Sequence, residues 1–241
     1  MTMTTYDKVK TIGDTTFFDI QLDAYREEIY TREEICDNIL TMIITGSDTI
    51  STTINFVIFV LANFPDIQEK AYKELLEIYG TGTVKSVPVK YDHLKKMQYL
   101  DRVIKETMRI FPTVPIIGRE TSEDLKIGNV IIPKGADIII AIMKMHRDEK
   151  YWPNPLVFDP DRFLEERKKD CYLPFSTGPR NCIGAEYAKR CMKVMLSTLI
   201  RTYKFKINNY FELDKIKLTF DIVLSPKEPF KVIIEKRAKT V

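Results

Sequence analysis

The sequence predicts a mainly α-helical fold with a minor antiparallel sheet, and three observations carry that reading. An unbroken helical pattern runs from Thr31 to about Ala62, and further helical stretches follow up to Phe111 and from about Ala185 to Tyr203. Eight of the 12 prolines fall between Pro112 and Pro179, so that third of the chain cannot be mostly helix. Glycine is scarce, at 9 of 241 residues, which suits helices better than a turn-rich all-β fold. With 44% hydrophobic and 29% charged residues the composition is that of a globular chain rather than a disordered one. The net charge of +3 is too small a surplus to suggest a nucleic-acid partner.

Each element has its own signal. Residues 1–30 read as a polar lead-in, with a weak helical pattern around Phe17–Leu22. Residues 31–111 read as helical. Thr31-Arg-Glu-Glu34 is a capping box that opens the first long helix. Pro65 stops that helix and opens a second, through Ile67, Ala71, Leu75 and Leu76, which ends near Gly80. Thr81–Lys90 reads as a loop, and Tyr91–Phe111 as a third helix that buries Leu94, Met97, Val103, Ile104 and Met108. Residues 112–174 read as a hairpin followed by a proline-rich coil, with Leu125–Ile132 and Ala136–Ile142 bracketing a turn at Pro133-Lys134-Gly135. Residues 175–184 form a cysteine loop. Residues 185–241 read as the last helix and C-terminal strands at Lys217–Val223 and Phe230–Glu235.

Cys36, Cys171, Cys182 and Cys191 are too few for a disulfide framework, and with only His93 and His146 a zinc site is poorly supplied. The first thirty residues lack the apolar core of a signal peptide. The apolar stretch Ile54–Phe64 is interrupted by Asn55 and Asn63 and falls short of the ~20 residues of a membrane helix, so the expectation is no membrane span and a soluble, intracellular chain. His146-Arg147-Asp148 matches the start of a kinase catalytic loop. Pro153 stands where its asparagine belongs, and neither a D-F-G nor a glycine-rich loop accompanies it, so a kinase is rejected.

The densest chemistry lies in Phe175-Ser-Thr-Gly178-Pro-Arg180-Asn-Cys182-Ile-Gly184. Cys182 stands just before a helix, where unpaired N–H groups and the positive end of the dipole favour thiolate, and Arg180 adds a cation. Gly178 and Gly184 let the backbone approach something flat or bulky, and Phe175 would shield the sulfur from water. A buried structural cysteine fits the composition at least as well; the spacing F-x-x-G-x-R-x-C-x-G overturns that reading. Met at all five positions, it resembles the haem-binding loop of cytochromes P-450. The resemblance implies that Cys182 is the axial thiolate ligand of the iron of haem b and that Arg180 pairs with a haem propionate. It also implies that Gly184 lets the last helix pass close to the macrocycle.

Three further places carry the same resemblance. Glu106-Thr-Met-Arg109 is similar to the family's E-x-x-R motif, and Phe158-Asp-Pro160-Asp-Arg162-Phe163 to its partner in the coil. The implied Glu106–Arg109–Arg162 network is structural and fixes the coil behind the haem. Thr45-Gly46-Ser47-Asp48-Thr49-Ile50 is similar to the distal oxygen-activation motif, although hydroxyls bonding back to the preceding turn would explain such residues equally. By resemblance Gly46 weakens the helix over the iron, Thr49 hydrogen-bonds dioxygen and Asp48 feeds protons. Two residues depart from the pattern: Thr45 replaces a small residue and crowds the oxygen pocket, and Ile50 replaces a hydroxyl and thins the relay. Thr45 also stands where a glutamate esterified to haem would be, so the haem is expected to be non-covalent and dissociable. Thr113–Ile117 and Phe220–Leu224 would flank the substrate, and Arg119 is a weaker candidate for a second haem contact.

Family members are roughly twice this length, so the chain resembles the C-terminal half of the fold, a single partial domain over 1–241: long distal helix, E-x-x-R helix, irregular coil, cysteine loop, proximal helix. The implied function is monooxygenation of a lipophilic small molecule with O2 and electrons from an NADPH-dependent reductase, with cytochrome b5 as a further donor. The reductase would dock on a basic face made by Arg167, Lys168, Lys169, Lys189, Arg190 and Lys193. The parent protein would sit on the cytosolic face of the endoplasmic reticulum membrane, this stretch lacking the anchor. Two alternatives stand beside it: a haem-binding fragment without turnover, and a haem-thiolate isomerase or dehydratase, against which Thr49 argues.

Overall fold

The computed structural model describes residues 15–81, 87–165 and 171–238. The chain forms two compact units, 1–47 and 48–241.

In the first unit, Thr16 Oγ1 accepts from the Asp19 N–H at 3.2 Å while Asp19 Oδ2 accepts from the Thr16 N–H at 2.8 Å. That box opens α1, Phe17–Arg26, so part of the expected polar lead-in is a capped helix. Aspartate at the third helical position does there what glutamate usually does. The longest helix, α2, spans Arg32–Asn63. It starts on the Thr31–Glu34 box: Glu34 Oε2 accepts from the Thr31 N–H at 2.7 Å, and Thr31 Oγ1 accepts from the Glu34 N–H at 3.3 Å. Asn38 donates to Gln21 at 3.0 Å and ties α2 to α1 within this unit. By length and composition α2 could cross a membrane, its apolar window being longer than Ile54–Phe64. Phe56, Val57, Val60 and Leu61 are buried in the core of the second unit, so this helix is apolar because it is a core element.

In the second unit, α3 (Pro65–Tyr79) begins with proline at its first position and ends at Gly80, whose φ of +64° suits a residue without Cβ. The expected helix Tyr91–Phe111 is two helices, α4 (Tyr91–Lys96) and α5 (Gln98–Ile110), which break at the buried Met97. The cause is tertiary. The Glu74 carboxylate of α3 accepts from the Tyr99 N–H at 2.6 Å and the Leu100 N–H at 2.9 Å, capping α5 from a neighbouring helix. Gln68 of α3 likewise donates to the carbonyls of Leu61 and Phe205 and accepts from the Phe205 N–H, each at 2.8 Å.

Four two-stranded antiparallel sheets follow. They pair β1 (Ile117–Glu120) with β4 (Asp137–Ile140), β2 (Leu125–Ile127) with β3 (Val130–Ile132), β5 (Tyr203–Lys206) with β8 (Ile233–Lys236), and β6 (Leu218–Phe220) with β7 (Leu224–Pro226). The expected hairpin about Pro133–Gly135 does not form. Val130–Ile132 folds back on Leu125–Ile127 through a tight turn at Gly128, φ +58°, leaving Asp137–Ile140 to pair with Ile117–Glu120. Thr121 holds that arrangement: its hydroxyl donates to Pro133 O at 2.7 Å and accepts from the Ala136 N–H at 2.9 Å. A short α6 (Ile142–His146) and α7 (Ala185–Thr202) complete the unit. Stacked rings join α2 to the rest of the core, Phe56 on Phe111 at 4.7 Å and Phe59 on Phe230 at 3.7 Å.

Removing the borrowed cap by Glu74→Ala is expected to lower stability by about 1–2 kcal/mol, with Glu74→Gln between it and the parent. Urea unfolding checks this; a midpoint unchanged in both variants would contradict it.

Candidate functional site

Helix α5 presents Glu106 and Arg109 three residues apart, and both side chains are fully buried. Arg109 Nε donates to Glu106 Oε2 at 2.7 Å and Nη2 to Oε1 at 2.8 Å. A 3-10 turn at Pro160–Phe163 brings in Arg162, whose Nε donates to Glu106 Oε1 at 3.1 Å; the same oxygen accepts from the Asp159 N–H at 3.0 Å. Both guanidinium groups also donate to backbone carbonyls. Arg109 reaches His146 O at 2.8 Å and Pro155 O at 2.7 Å. Arg162 reaches Pro153 O at 2.5 Å, Asn154 O at 2.8 Å and Val157 O at 3.0 Å. Prolines bring acceptors but no donors, and two guanidinium groups supply what this coil lacks.

The cysteine loop begins just beyond. Ser176 N–H donates to Leu173 O at 3.1 Å, and Cys182 N–H to Phe175 O at 2.9 Å, closing the loop onto the start of α7. Ser176 and Gly178 have φ of +63° and +80°. The second is an ordinary glycine role; the first is a strained conformation for serine, and Arg119 Nη2 donates to its hydroxyl at 3.0 Å. Cys182 is free and exposed. A Cβ on Gly184 would stand 3.9 Å from Cys182 Sγ and would take up space beside the sulfur, though without a clash. Arg180 is exposed and makes no ion pair with the described residues. The ring of Phe175 is half-buried, with Lys189 Nζ 5.6 Å from its centroid.

On α2, Asp48 is exposed and Thr49 half-buried. Gly46 belongs to the first unit, where a Cβ would meet nothing within 4 Å. The hydroxyls of Thr45, Ser47 and Ser51 bond back to carbonyls of the preceding turn. Thr53 does so too, reaching Thr49 O at 2.9 Å, and its oxygen also lies 2.8 Å from Thr113 Oγ1. A hydroxyl has one proton; Thr53 gives its own to Thr49, so Thr113 donates to Thr53. The Thr113 carbonyl in turn accepts from the Leu224 N–H at 2.8 Å. The distal helix and the segments at Thr113 and Leu224 thus come together through one residue.

A family model described as cytochrome P-450 matches residues 4–234. The chain belongs to the cytochrome P-450 family. It is 39% identical to cytochrome P-450 4c21 of Blattella germanica over 92% of this chain and 44% of that protein. It is 37% identical to cytochrome P-450 4g15 of Drosophila melanogaster (92% and 39%) and 35% identical to cytochrome P-450 4V2 of Mus musculus (92% and 42%). The chain spans under half the length of these curated relatives. Its helices and small antiparallel sheets form a fragment of the P-450 fold. P-450 proteins are haem-thiolate monooxygenases whose cofactor is haem b. The cysteine loop fits that group: an exposed thiol stands on a loop closed by its own amide, with Gly184 leaving free the space that a Cβ would take 3.9 Å from the sulfur.

Of the basic residues expected to form a docking face, Arg167, Lys168 and Lys169 lie outside the described residues. Lys189 pairs with Glu186 at 2.8 Å, and Arg190 stacks over Tyr91. Lys193 is largely buried and pairs with Asp101 at 2.8 Å, a carboxylate that it shares with Lys105 at 2.7 Å.

Sequence reasoning passed over His146, which is fully buried and accepts the Leu173 N–H on Nε2 at 2.8 Å. The clue was a lone histidine after an apolar run, which more often marks a satisfied core side chain than a ligand. Burial, and then the Arg109 charge, push its imidazole down from 6.5 to about 4. The unfolded chain therefore binds a proton that the folded chain refuses as pH falls from 6.5 towards 4. The stability held above that window should fall across it by up to about 3 kcal/mol. Urea midpoints against pH test this, since His146→Gln should flatten the slope; an identical slope in both proteins would contradict the assignment.

Proposed function

We propose that this chain is the haem-ligating and oxygen-activating part of a P-450 monooxygenase that inserts one atom of O2 into a lipophilic small molecule. The observation that carries the proposal is Cys182, an exposed thiol on a loop shaped by Phe175, Gly178 and Ser176 at the start of α7. Haem, bound non-covalently with Cys182 as the iron ligand, supplies the metal at which dioxygen is reduced. Arg180 and Arg119 hold the propionates as guanidinium–carboxylate pairs. The exposure of Arg180 and the reach of Arg119 into the loop support those roles.

The rest of the chemistry belongs to side chains. One oxygen atom goes to the substrate and the other leaves as water, which requires protons as well as electrons. Asp48, exposed at the helix surface, takes protons from solvent, and the half-buried Thr49 hydroxyl passes them inward. Gly46 loosens the helix, and the direction of the Thr113–Thr53–Thr49 bonds holds the Thr49 turn in place. The Glu106–Arg109–Arg162 network keeps the coil and loop rigid and takes no part in the chemistry. Thr113–Ile117 and Phe220–Leu224 border the substrate. Electrons come from an NADPH-dependent reductase, with cytochrome b5 as a further donor, docked about Lys189 and Arg190. The whole protein works on the cytosolic face of the endoplasmic reticulum membrane.

The test is an optical spectrum of the chain with added haem, reduced and exposed to carbon monoxide, beside Cys182→Ala. A strongly red-shifted Soret band present in the parent and lost in the variant is the expected result. A band that survives the substitution would rule out Cys182 as the ligand.

A further inference from the structure

His146 ends α6 with both its main chain and its side chain engaged. Its carbonyl accepts from Arg109 Nη1 at 2.8 Å, which makes the residue part of the buried charge network. Its Nε2 accepts from the Leu173 N–H at 2.8 Å, so that nitrogen carries no proton and the ring is the neutral tautomer protonated at Nδ1. Tyr172 stacks on the imidazole, centroids 5.3 Å apart, and donates its hydroxyl to Lys105 O of α5 at 2.9 Å, so the ring is also held from its face.

Leu173 is where the cysteine loop begins to be hydrogen-bonded. Its carbonyl takes the Ser176 N–H, Ser176 takes Arg119, and Phe175 takes the Cys182 N–H. A path of hydrogen bonds and adjoining main chain thus runs from Glu106 through Arg109, the His146 carbonyl and ring, and Leu173 to Ser176 and its neighbour Phe175, which accepts the Cys182 N–H. We propose that His146 is a positioning residue for the haem-ligating loop, its imidazole transmitting the geometry of the arginine network to Leu173 and so to Cys182. This rests on the reading of Cys182 as the iron ligand. His146 would act as the outer partners of metal ligands do, touching neither metal nor substrate.

The experiment compares the full chain with His146→Phe, which keeps the ring volume and removes the acceptor, and His146→Gln, whose amide oxygen can replace Nε2. Amide hydrogen exchange is followed at Leu173 and Cys182 without haem, and haem affinity is followed by titration. In His146→Phe both amides should exchange at least about tenfold faster and haem should bind about tenfold more weakly, with His146→Gln recovering most of each loss. Should His146→Phe not fold by circular dichroism, His146→Asn against His146→Gln makes the same comparison, the shorter amide falling short of Leu173.

Full protection of Leu173 without an acceptor would overturn the proposal. So would a loosened Leu173 beside an unchanged Cys182 amide, or equal behaviour of the Phe and Gln variants. Cys182→Ala separates the two readings, because failure of the ligand assignment shows in its spectrum while Leu173 exchange, which needs no haem, still decides the role of His146.

Discussion

A carboxylate without access to water, Glu106, is the constraint on which the rest of the second unit depends. Taking one acidic and two basic side chains out of solvent costs several kcal/mol per ion, and their mutual attraction offsets this only when every donor and acceptor is matched. Here Glu106 receives two bonds from Arg109, one from Arg162 and one from the Asp159 amide. Because an unmatched member would be so costly, α5, the 3-10 turn and the coil have one arrangement in which all are satisfied.

The site extends from that centre by borrowed backbone groups. Glu74 caps a helix it does not belong to, Thr121 joins strands of different sheets, and Thr113 binds both α2 and the Leu224 turn. Each ties together segments that lie apart in the chain. The cysteine loop is the extreme case, with a serine in a left-handed conformation stabilised by an arginine from β1.

Local signals and long-range ones were legible to different degrees. The five-point pattern about Cys182, the E-x-x-R helix and the Pro65 helix start could be read directly, because each depends on residues close together in the chain. The break at Met97 could not, since its cause is a carboxylate on another helix. The hairpin was misassigned because Pro133–Gly135 carries a strong turn signal while the choice of strand partner is made by Thr121 and Gly128. The length of α2 was read closely, but its apolar run was cut short because asparagines at 55 and 63 looked like interruptions, yet Asn63 is buried and exchanges hydrogen bonds with the Phe211 backbone. His146 was weighed only for a zinc site and a kinase motif, both set aside, because its partners are thirty-seven and twenty-seven residues away.

The arginine side chains grip the coil by its carbonyl oxygens, at Pro153, Asn154, Pro155 and Val157, rather than by its side chains. Every amino acid presents the same carbonyl, so the grip is indifferent to what those positions carry. The grip itself makes no demand on side chains; the demands at these positions come from the backbone, since Asn154 has φ of +49° and the Val157 N–H donates to Asn154 O at 3.0 Å. Two arginines anchored on one glutamate thus set the course of the coil through four of its carbonyls.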